Sequence, residues 1–194
     1  MDKRRYTSHI EQGVNRLDYR NILVDTTIQK PQYVALLLDF IHKTDSEAAN
    51  HAARLLELTV KKQWQVLLPY LNQFSEILSA LRQDASIRAC AKMIEICCVN
   101  YYIKEDKDLK ETIRLTDKER FIEVSFDWMI ADKSIAIQAH SMYSLYLLGL
   151  EFDWIHSELA LLIDRKLPLG SIGFQNRAKK ILKSIETKRL LKLY

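Results

Sequence analysis

Three carboxylates recur at four-residue spacing in the segment ERFIEVSFD: Glu119, Glu123 and Asp127. Side chains four residues apart share one face of an α-helix, so these groups could form an acidic strip or part of a metal site. A metal site on one helix usually includes histidine or a ligand from a second helix. None of the five histidines stands at an H-E-x-x-H or similar ligand spacing. We therefore predict a solvated acidic helix face, with no metal ion and no cofactor.

Motifs that cradle phosphate or activate a nucleophile are missing from the sequence. There is no G-x-x-x-x-G-K-[ST], G-x-G-x-x-G or G-x-S-x-G, and the chain has only four glycines. Cys90, Cys97 and Cys98 lie in an apolar segment without a C-x-x-C pair, which argues against a disulfide framework and a zinc knuckle. We predict buried free thiols in a reducing compartment. The common kinds of nucleotide chemistry are disfavoured.

Composition favours a helical globular protein. The 194 residues are 48% hydrophobic and 28% charged, which is ordinary for a folded chain and sufficient for a core. Four Gly and three Pro leave little turn chemistry for β-hairpins. No stretch of the sequence approaches the roughly 18 apolar residues of a membrane span, and no apolar segment follows the basic N-terminus. We expect a cytoplasmic location.

One apolar pattern recurs along the chain, starting at Asp45, Asp84, Asp132 and Ser171. Residues three, seven, ten and fourteen positions further on trace one face of an α-helix. Each starting residue can accept a hydrogen bond from a free N–H group of a first helical turn, so we predict an N-cap there. The repeated alanine predicts close approach of a neighbouring helix. The four columns are Ala48, Ile87, Ile135 and Phe174; Ala52, Ala91, Ala139 and Ala178; Leu55, Ile94, Met142 and Ile181; and Thr59, Cys98, Tyr146 and Ile185.

A second helix is predicted after each of the first ones, because the starting residues are 39 to 48 positions apart. Pro69 lies near the first turn of one such helix, Thr116 and Glu119 predict a capping box for the next, and Pro31 begins an earlier helix. The longest interval contains a charged insertion over residues 101–117, predicted to be solvated or to include a short helix. The apolar stripes of the second helices are Leu67, Leu71, Phe74, Leu78 and Leu81; Ile122, Phe126 and Met129; and Ile155, Leu159 and Leu162.

The alternating helices, with Asp at the start of one and Leu-Leu-Pro-x-Leu before the other, resemble HEAT repeats over about residues 31–190. The resemblance implies an all-α HEAT/ARM-like superhelix of about four to five antiparallel helix pairs. We expect one α-solenoid domain over residues 1–194, with clear repeats from about residue 31 and a basic C-terminal capping helix over residues 171–192. An irregular helical bundle is the alternative.

The resemblance also places the second helix of each pair on a concave face. Such faces usually bind an extended peptide, another protein or a nucleic-acid backbone. We therefore predict a non-enzymatic module for protein–protein interaction or scaffolding. The exposed residues expected to contact a partner are Asn72, Gln73, Glu76, Glu119, Glu123, Asp127 and His156.

Basic residues are concentrated near the C-terminus. Residues 177–194 hold seven Lys or Arg and one Glu, so the rest of the chain carries a small negative charge within the overall +4. One interpretation is a capping helix kept soluble by its lysines, and the other is a docking surface for an acidic protein, nucleic acid or an anionic membrane. Nucleic-acid binding would also use Lys3, Arg4 and Arg5. The candidate tail residues are Lys179, Lys180, Lys183, Lys188, Arg189 and Lys192.

Two enzyme families supply a third class of hypothesis. Adenylosuccinate lyases carry a flexible loop reading roughly G-S-S-x-M-P-x-K-x-N, whereas residues 170–175 read GSIGFQ and lack the Met-Pro pair and the lysine. HEAT-like alkylpurine DNA glycosylases use aromatic and acidic residues on a basic face, for which Asp127–Trp128 and Asp153–Trp154 are the candidates. Tryptophans on apolar stripes are usually core, and the acidic second helices would repel phosphate. We predict neither activity.

Overall fold

A computed structural model describes residues 1–13, 17–43, 46–131, 133–187, 190, 191 and 193, without the side chains of residues 17 and 18. These residues form eleven α-helices and no β-strand. The first six are α1 (Lys3–Gln12), α2 (Leu17–Gln29), α3 (Gln32–Lys43), α4 (Glu47–Lys62), α5 (Leu71–Ile77) and α6 (Asp84–Tyr102). The others are α7 (Lys107–Thr112), α8 (Leu115–Ile130), α9 (Ile135–Leu148), α10 (Trp154–Lys166) and α11 (Ile172–Thr187). Short 3₁₀ segments, Trp64–Tyr70 and Leu78–Ala80, flank α5.

Successive long helices alternate between two packed layers. In one layer α6 packs against both α4 and α9, and α9 packs against α11. In the other layer α5 packs between α3 and α8. The layers meet where α3 contacts α4, α8 contacts α9, and α10 contacts α9 and α11, while α1 and α2 cover α4. The all-α class predicted from sequence is confirmed for the described residues.

The repeated apolar columns supply much of the interface between these helices. The alanines at the seventh position include Ala52, Ala91 and Ala178, which are buried and let the backbones approach closely. The residues three positions after each predicted start are less regularly buried, since Ile135 is 52% exposed. Ile135 is the first residue of α9 and lies at an open end of the layer, so no preceding turn covers it. The helical spacing therefore predicted which side of a helix is buried better than it predicted which residues near a helix end are exposed.

The predicted helix starts are partly wrong. Ser171 does cap α11, since its Oγ accepts from the Phe174 N–H at 3.2 Å. Asp84 is instead the first residue inside α6, and Asp45 and Asp132 lie outside the described residues. The Thr116–Glu119 capping box is also wrong. Helix α8 begins at Leu115, and a buried carboxylate, Asp117, accepts from the Arg114 N–H at 3.0 Å.

The charged insertion at residues 101–117 is anchored to the core rather than fully solvated. Helix α6 runs on through Tyr102, and α7 begins where the Asp106 carboxylate accepts from the Leu109 N–H at 3.0 Å. Leu109 is fully buried. Tyr101 also receives the buried Lys118 ammonium, which lies 2.8 Å from its hydroxyl and 4.0 Å from its ring centroid. The insertion is therefore a packed connection with a short helix.

The predicted capping helix over residues 171–192 is wrong at its C-terminal end, because α11 stops at Thr187. Leu190, Leu191 and Leu193 are not helical. The buried Tyr143 and Tyr146 hold this segment by its backbone: the Tyr143 hydroxyl donates to the Leu191 carbonyl at 2.8 Å, and the Leu191 N–H donates to the Tyr146 hydroxyl at 2.9 Å. The Leu193 N–H donates to the Tyr143 hydroxyl at 3.3 Å. These hydroxyls satisfy backbone groups that a continued helix would have satisfied itself.

A fully buried glutamate, Glu57 on α4, links this helix to α6. Its carboxylate accepts from Arg54 and Lys61, each at 2.6 Å, and lies 3.6 Å from the Arg88 guanidinium of α6. Burial acts to raise the pKa of Glu57, but the hydrogen bonds and charges of Lys61 and Arg54 outweigh burial and leave this pKa below its ordinary value. The paired carboxylate therefore stabilises the fold while it is ionised.

A second buried glutamate, Glu95 on α6, links three helices of the same layer. It accepts from Lys92 at 2.7 Å and from Nδ1 of His140 on α9 at 2.6 Å. Arg177 of α11 lies 3.5 Å from the same carboxylate and also donates to the Ala139 carbonyl at 2.9 Å. Neither glutamate was singled out from the sequence, because charged residues at i and i+3 or i+4 are equally common on solvated helices.

Replacing Glu57 with Gln tests the first of these links. The pKa of Glu57 is lowered by folding, so its stabilisation is present above about pH 4.3, where an unfolded glutamate ionises, and is lost as pH falls through the folded pKa. We expect Glu57→Gln to lower the free energy of unfolding by about 2 kcal/mol at pH 7, with a smaller loss at pH 3. Urea unfolding at both pH values measures this difference. The exposed Glu111→Gln is the matched control, and an equal loss at both pH values would contradict the expectation.

Replacing both Tyr143 and Tyr146 with Phe tests how the C-terminal segment is held. The rings remain, but the hydroxyls that bind the backbone of Leu191 and Leu193 are lost. We expect amide hydrogen exchange of Leu191 and Leu193 to become at least tenfold faster, since these two amides lose their acceptors. Tyr102→Phe, which removes a hydroxyl bound to Glu151, should leave this exchange unchanged. Unchanged exchange in the double variant would show that other contacts hold the segment.

Candidate functional site

Asn72, Gln73 and Glu76, predicted to face a partner, are used in contacts between helices. Asn72 donates to the Glu76 carboxylate at 2.9 Å within α5. Gln73 donates to the Asp39 carboxylate of α3 at 3.4 Å. Arg120 of α8 donates to the Ser75 hydroxyl at 3.0 Å and lies 3.7 Å from the Glu76 carboxylate. This part of the predicted surface therefore joins α3, α5 and α8.

A buried hydrogen bond beneath this network was missed by sequence reasoning. The Ser75 hydroxyl of α5 donates to the Asp117 carboxylate of α8 at 2.6 Å, and both residues are buried. The useful signal would have been Asp117 itself, since an acidic residue in a first turn can accept from free N–H groups of its own helix. Its second oxygen is then available to the neighbouring helix. The pair holds α5 and α8 in register.

His156, which was predicted to contact a partner, makes contacts within the fold. Its Nε2–H donates to the Tyr146 carbonyl at 2.8 Å, and its ring stacks on the Tyr146 ring with centroids 5.4 Å apart. That carbonyl is one of the last four of α9, which lack partners within the helix. Gly149 makes room for the ring, because a Cβ at this position would lie 2.2 Å from a ring carbon of His156. The His156 ring is therefore used in a contact within the fold, between α9 and α10.

The same arrangement occurs at the other end of the layer. Nδ1–H of His51 donates to the Ile10 carbonyl at 3.1 Å, three residues before Gly13, as Tyr146 is three residues before Gly149. A Cβ on Gly13 would lie 2.4 Å from the His51 ring, and the φ angle of Gly13 is +72°. In both places a histidine from a later helix satisfies a carbonyl at the C-terminal end of an earlier one.

Glu119, Glu123 and Asp127 do form an exposed row along α8, as predicted. Their carboxylates make no hydrogen bond or ion pair with any residue that the structure describes. A row of three negative charges without nearby cations attracts positive groups from solution. This acidic row is the part of the predicted site that is free to contact a partner.

An exposed apolar groove lies beside the acidic row, between α8 and α10. Phe126 and Ile130 of α8 and Leu161 and Leu162 of α10 line a cavity of about 380 Å³. Ile130 is 64% exposed and Leu161 is 53% exposed. At the end of the groove where α10 begins, Trp154 is 52% exposed and stacks on Phe126, with ring centroids 5.8 Å apart. Trp154 was expected in the core, but it begins α10 and has no preceding turn to cover it.

A cleft continues from the other end of this groove, where α10 ends. It encloses about 580 Å³ between the α8–α9 and α10–α11 connections, and Arg165 and Lys166 line both cavities. Lys133 also lines the cleft, where it pairs with Asp84 at 2.9 Å. Nearby apolar side chains remain in solvent: Ile135, Leu169 and Ile172 are 52%, 93% and 79% exposed. The groove and the cleft together form one extended surface along α8 and α10.

The basic tail is divided between described and undescribed residues. Lys179, Lys180 and Lys183 are exposed on α11, whereas Lys188, Arg189 and Lys192 lie outside the described residues. Lys3, Arg4 and Arg5 are exposed on α1, which packs on α4, and both α6 and α9 lie between α4 and α11 in the layer. The described basic residues of the two termini are therefore at opposite ends of the fold.

The groups considered for chemistry are not brought together as a reactive site. Asp127 is exposed, whereas Trp128 is buried in the core. Burial raises the pKa of Cys97 to about 12, and it also raises the pKa of Cys90 and Cys98, so these buried thiols stay protonated near neutral pH. Across the described ranges, no group of three His, Cys, Asp or Glu is placed to hold a metal ion. None of the described helices combines the length and the apolar character that crossing a bilayer requires.

No family model, curated protein or solved structure matches the chain. The groove between α8 and α10, with its flanking charges, is thus the feature from which a function can be inferred.

Proposed function

We propose that this chain is a HEAT-like helical-repeat module, without catalytic activity of its own, that binds an amphipathic helical segment of another protein. The binding site is the groove formed by Phe126, Ile130, Trp154 and Leu161. The observation that carries the proposal is that this exposed apolar groove lies directly beside an acidic row without cation partners among the described residues.

The apolar side chains supply the driving force for binding. Exposed apolar residues that adjoin one another, rather than occurring singly, mark interaction surfaces in soluble proteins. Trp154 and Phe126 provide two aromatic anchors in contact with each other, and aromatic residues are enriched among the residues that dominate binding energy. A groove between two helices fits the apolar face of a third helix, read through residues at i, i+3 or i+4, and i+7.

The acidic row supplies orientation and selectivity. Glu119, Glu123 and Asp127 would lie along one side of a bound helix, so a partner with Lys or Arg flanking its apolar face is favoured. Such exposed pairs add modest affinity and weaken with salt. An acidic partner would meet like charges along this edge.

The alternation of helices between two layers supports the HEAT-like part of the proposal. Each layer is made of helices that are not consecutive in the chain: α4, α6, α9 and α11 pack in succession in one layer, and α3, α5 and α8 do so in the other. This is the arrangement by which repeat proteins extend a surface along one direction. The proposed groove uses α8 and α10, which correspond to second helices of two successive predicted pairs.

Selection of peptides by the wild-type protein tests this proposal without knowledge of the natural partner. We expect a phage-displayed library of random 16-residue peptides to yield sequences with apolar residues at i, i+3 or i+4, and i+7. Synthetic copies should bind the double variant Ile130→Glu, Leu161→Glu at least tenfold more weakly, measured by fluorescence anisotropy. Both positions are more than half exposed, so the variant should fold normally.

The matched control replaces two exposed aliphatic residues outside the groove, Ile22→Glu and Leu150→Glu, which are 50% and 44% exposed. This control should bind the selected peptides within twofold of the wild type. A selection that enriches no peptides, or peptides that bind both double variants equally, would contradict the groove as the binding site.

Nucleic-acid binding is the second candidate function, because Lys179, Lys180 and Lys183 are exposed on α11. A protein that neutralises phosphates binds more tightly at low salt. We expect no retardation of single-stranded or duplex 40-mers by the wild-type protein at micromolar concentration and about 50 mM salt. The reason is that the described basic residues of the two termini lie at opposite ends of the fold and do not form one continuous basic surface. Retardation that is lost in the triple variant Lys179→Glu, Lys180→Glu, Lys183→Glu would favour nucleic acid instead.

A further inference from the structure

We infer that Trp154 determines which partner the groove accepts, and that it receives the guanidinium group of an arginine at one fixed position of the bound helix. This inference rests on the proposed function and names the partner side chain that the groove recognises. Trp154 lies at the end of the groove where α10 begins, and it is 52% exposed. An arginine bound there would stack on the indole, and its N–H groups would reach carboxylates of α8 and α10.

The Trp154 indole is held in position and still has a surface open to solvent. One of its faces stacks on the Phe126 ring, with centroids 5.8 Å apart and an angle of 19° between the ring planes. Phe126 is only partly exposed and packs against the core, so it supports the indole. Among the described residues, no cation and no other aromatic ring lies on the indole. A flat aromatic surface is therefore available to a group that stacks.

A carboxylate lies one helical turn away from each ring of this stack. Glu158 is four residues after Trp154 on α10, and Glu123 is three residues before Phe126 on α8. Residues three or four positions apart share a helix face, with Cβ atoms about 5 to 6 Å apart. Both carboxylates are exposed, and neither makes a hydrogen bond or an ion pair with a described residue. The two helices thus each place a negative charge beside the stacked rings.

The described basic side chains of α8 and α10 leave this end of the groove open. On α10 they are Arg165 and Lys166, which come eleven and twelve residues after Trp154, or at least about 16 Å along the helix. On α8, Arg120 contacts Ser75 and Glu76 of α5, and the buried Lys118 pairs with Glu151 at 2.8 Å. A cation supplied by a partner therefore has a place beside Trp154.

Arginine fits this combination of groups better than lysine. A guanidinium is planar and weakly hydrated, so it can stack on an exposed aromatic face while the N–H groups on its edge bind carboxylates. An ammonium is compact and strongly hydrated, and it loses more of its hydration on the same face. Cation–π contacts and ion pairs at exposed sites are each weak, so selectivity requires both to act on one side chain.

The phage selection that tests the proposed function, repeated on variants of Trp154, also tests this inference. On the wild type, we expect arginine to be enriched at one fixed position relative to the apolar stripe of the selected peptides. On Trp154→Leu, which keeps an apolar side chain but lacks the ring, the stripe should persist and the fixed arginine should disappear. Trp154→Phe, which restores an aromatic face, should recover the arginine. Trp154 is half exposed at a helix start, so both variants should fold.

Synthetic copies of one selected peptide measure the size of the effect. The fixed arginine is replaced with lysine or with citrulline, which is planar but neutral. By fluorescence anisotropy at about 50 mM salt, we expect wild-type binding to weaken about fivefold with lysine and at least tenfold with citrulline. In Trp154→Leu, the arginine and lysine peptides should bind within twofold of each other.

The carboxylates are tested with the same peptides. In the double variant Glu123→Gln, Glu158→Gln, the preference for arginine over citrulline should fall below threefold, because both side chains can still stack but the ion pairs are lost. The matched control is Glu111→Gln with Glu186→Gln, which removes two exposed carboxylates outside the groove and should keep the tenfold preference.

The outcomes separate this inference from the proposed function. Selected peptides that share an apolar stripe but no fixed arginine overturn the role of Trp154 and leave the groove as the binding site. If Trp154→Leu weakens the arginine, lysine and citrulline peptides by the same factor, the indole is an apolar anchor without selectivity, and the inference is also wrong. A wild-type selection that enriches no peptides overturns both proposals.

Discussion

The pairing of two buried glutamates, Glu57 and Glu95, is the constraint on which the arrangement of the helices depends. A buried carboxylate must have hydrogen-bond donors or cations close to it, so Arg88, His140 and Arg177 can occupy only a narrow range of positions. The small alanine side chains of α4 and α6 let the two helices pack closely, but they do not by themselves fix the position of one helix along the axis of the other. The contacts of the two carboxylates remove that freedom and fix α4, α6, α9 and α11 relative to one another.

The sequence predicted the helices and their buried sides because those depend on local periodicity. Leu67, Leu71 and Phe74 are buried as the spacing required. Predictions that depended on tertiary geometry did less well. Asp84 is inside its helix rather than capping it, and Leu191 is not helical but is bound through its backbone by Tyr143 and Tyr146, which are distant in sequence. Neither outcome has a signal within one helical turn of the residues concerned.

The candidate site could likewise be predicted from the sequence only in part. The acidic row could be predicted, since a four-residue spacing determines a helix face. The apolar groove beside it could not, because Phe126 and Ile130 have the spacing of core residues whether or not another helix covers them. Trp154 has the same ambiguity. The contact of His156 within the fold could not be predicted either, since a polar residue on a helix surface gives no sign that a carbonyl such as that of Tyr146 lies next to it.

The two glycine–histidine contacts have a consequence for how this protein can evolve. Gly149 and His156, like Gly13 and His51, occupy one shared volume, so neither position can change freely while the other stays the same. A larger residue at the glycine displaces the ring, and loss of the ring removes a hydrogen-bond donor from a carbonyl of the preceding helix. Viable descendants should therefore exchange both members of a pair together, which would appear as covariation between positions 149 and 156 and between positions 13 and 51.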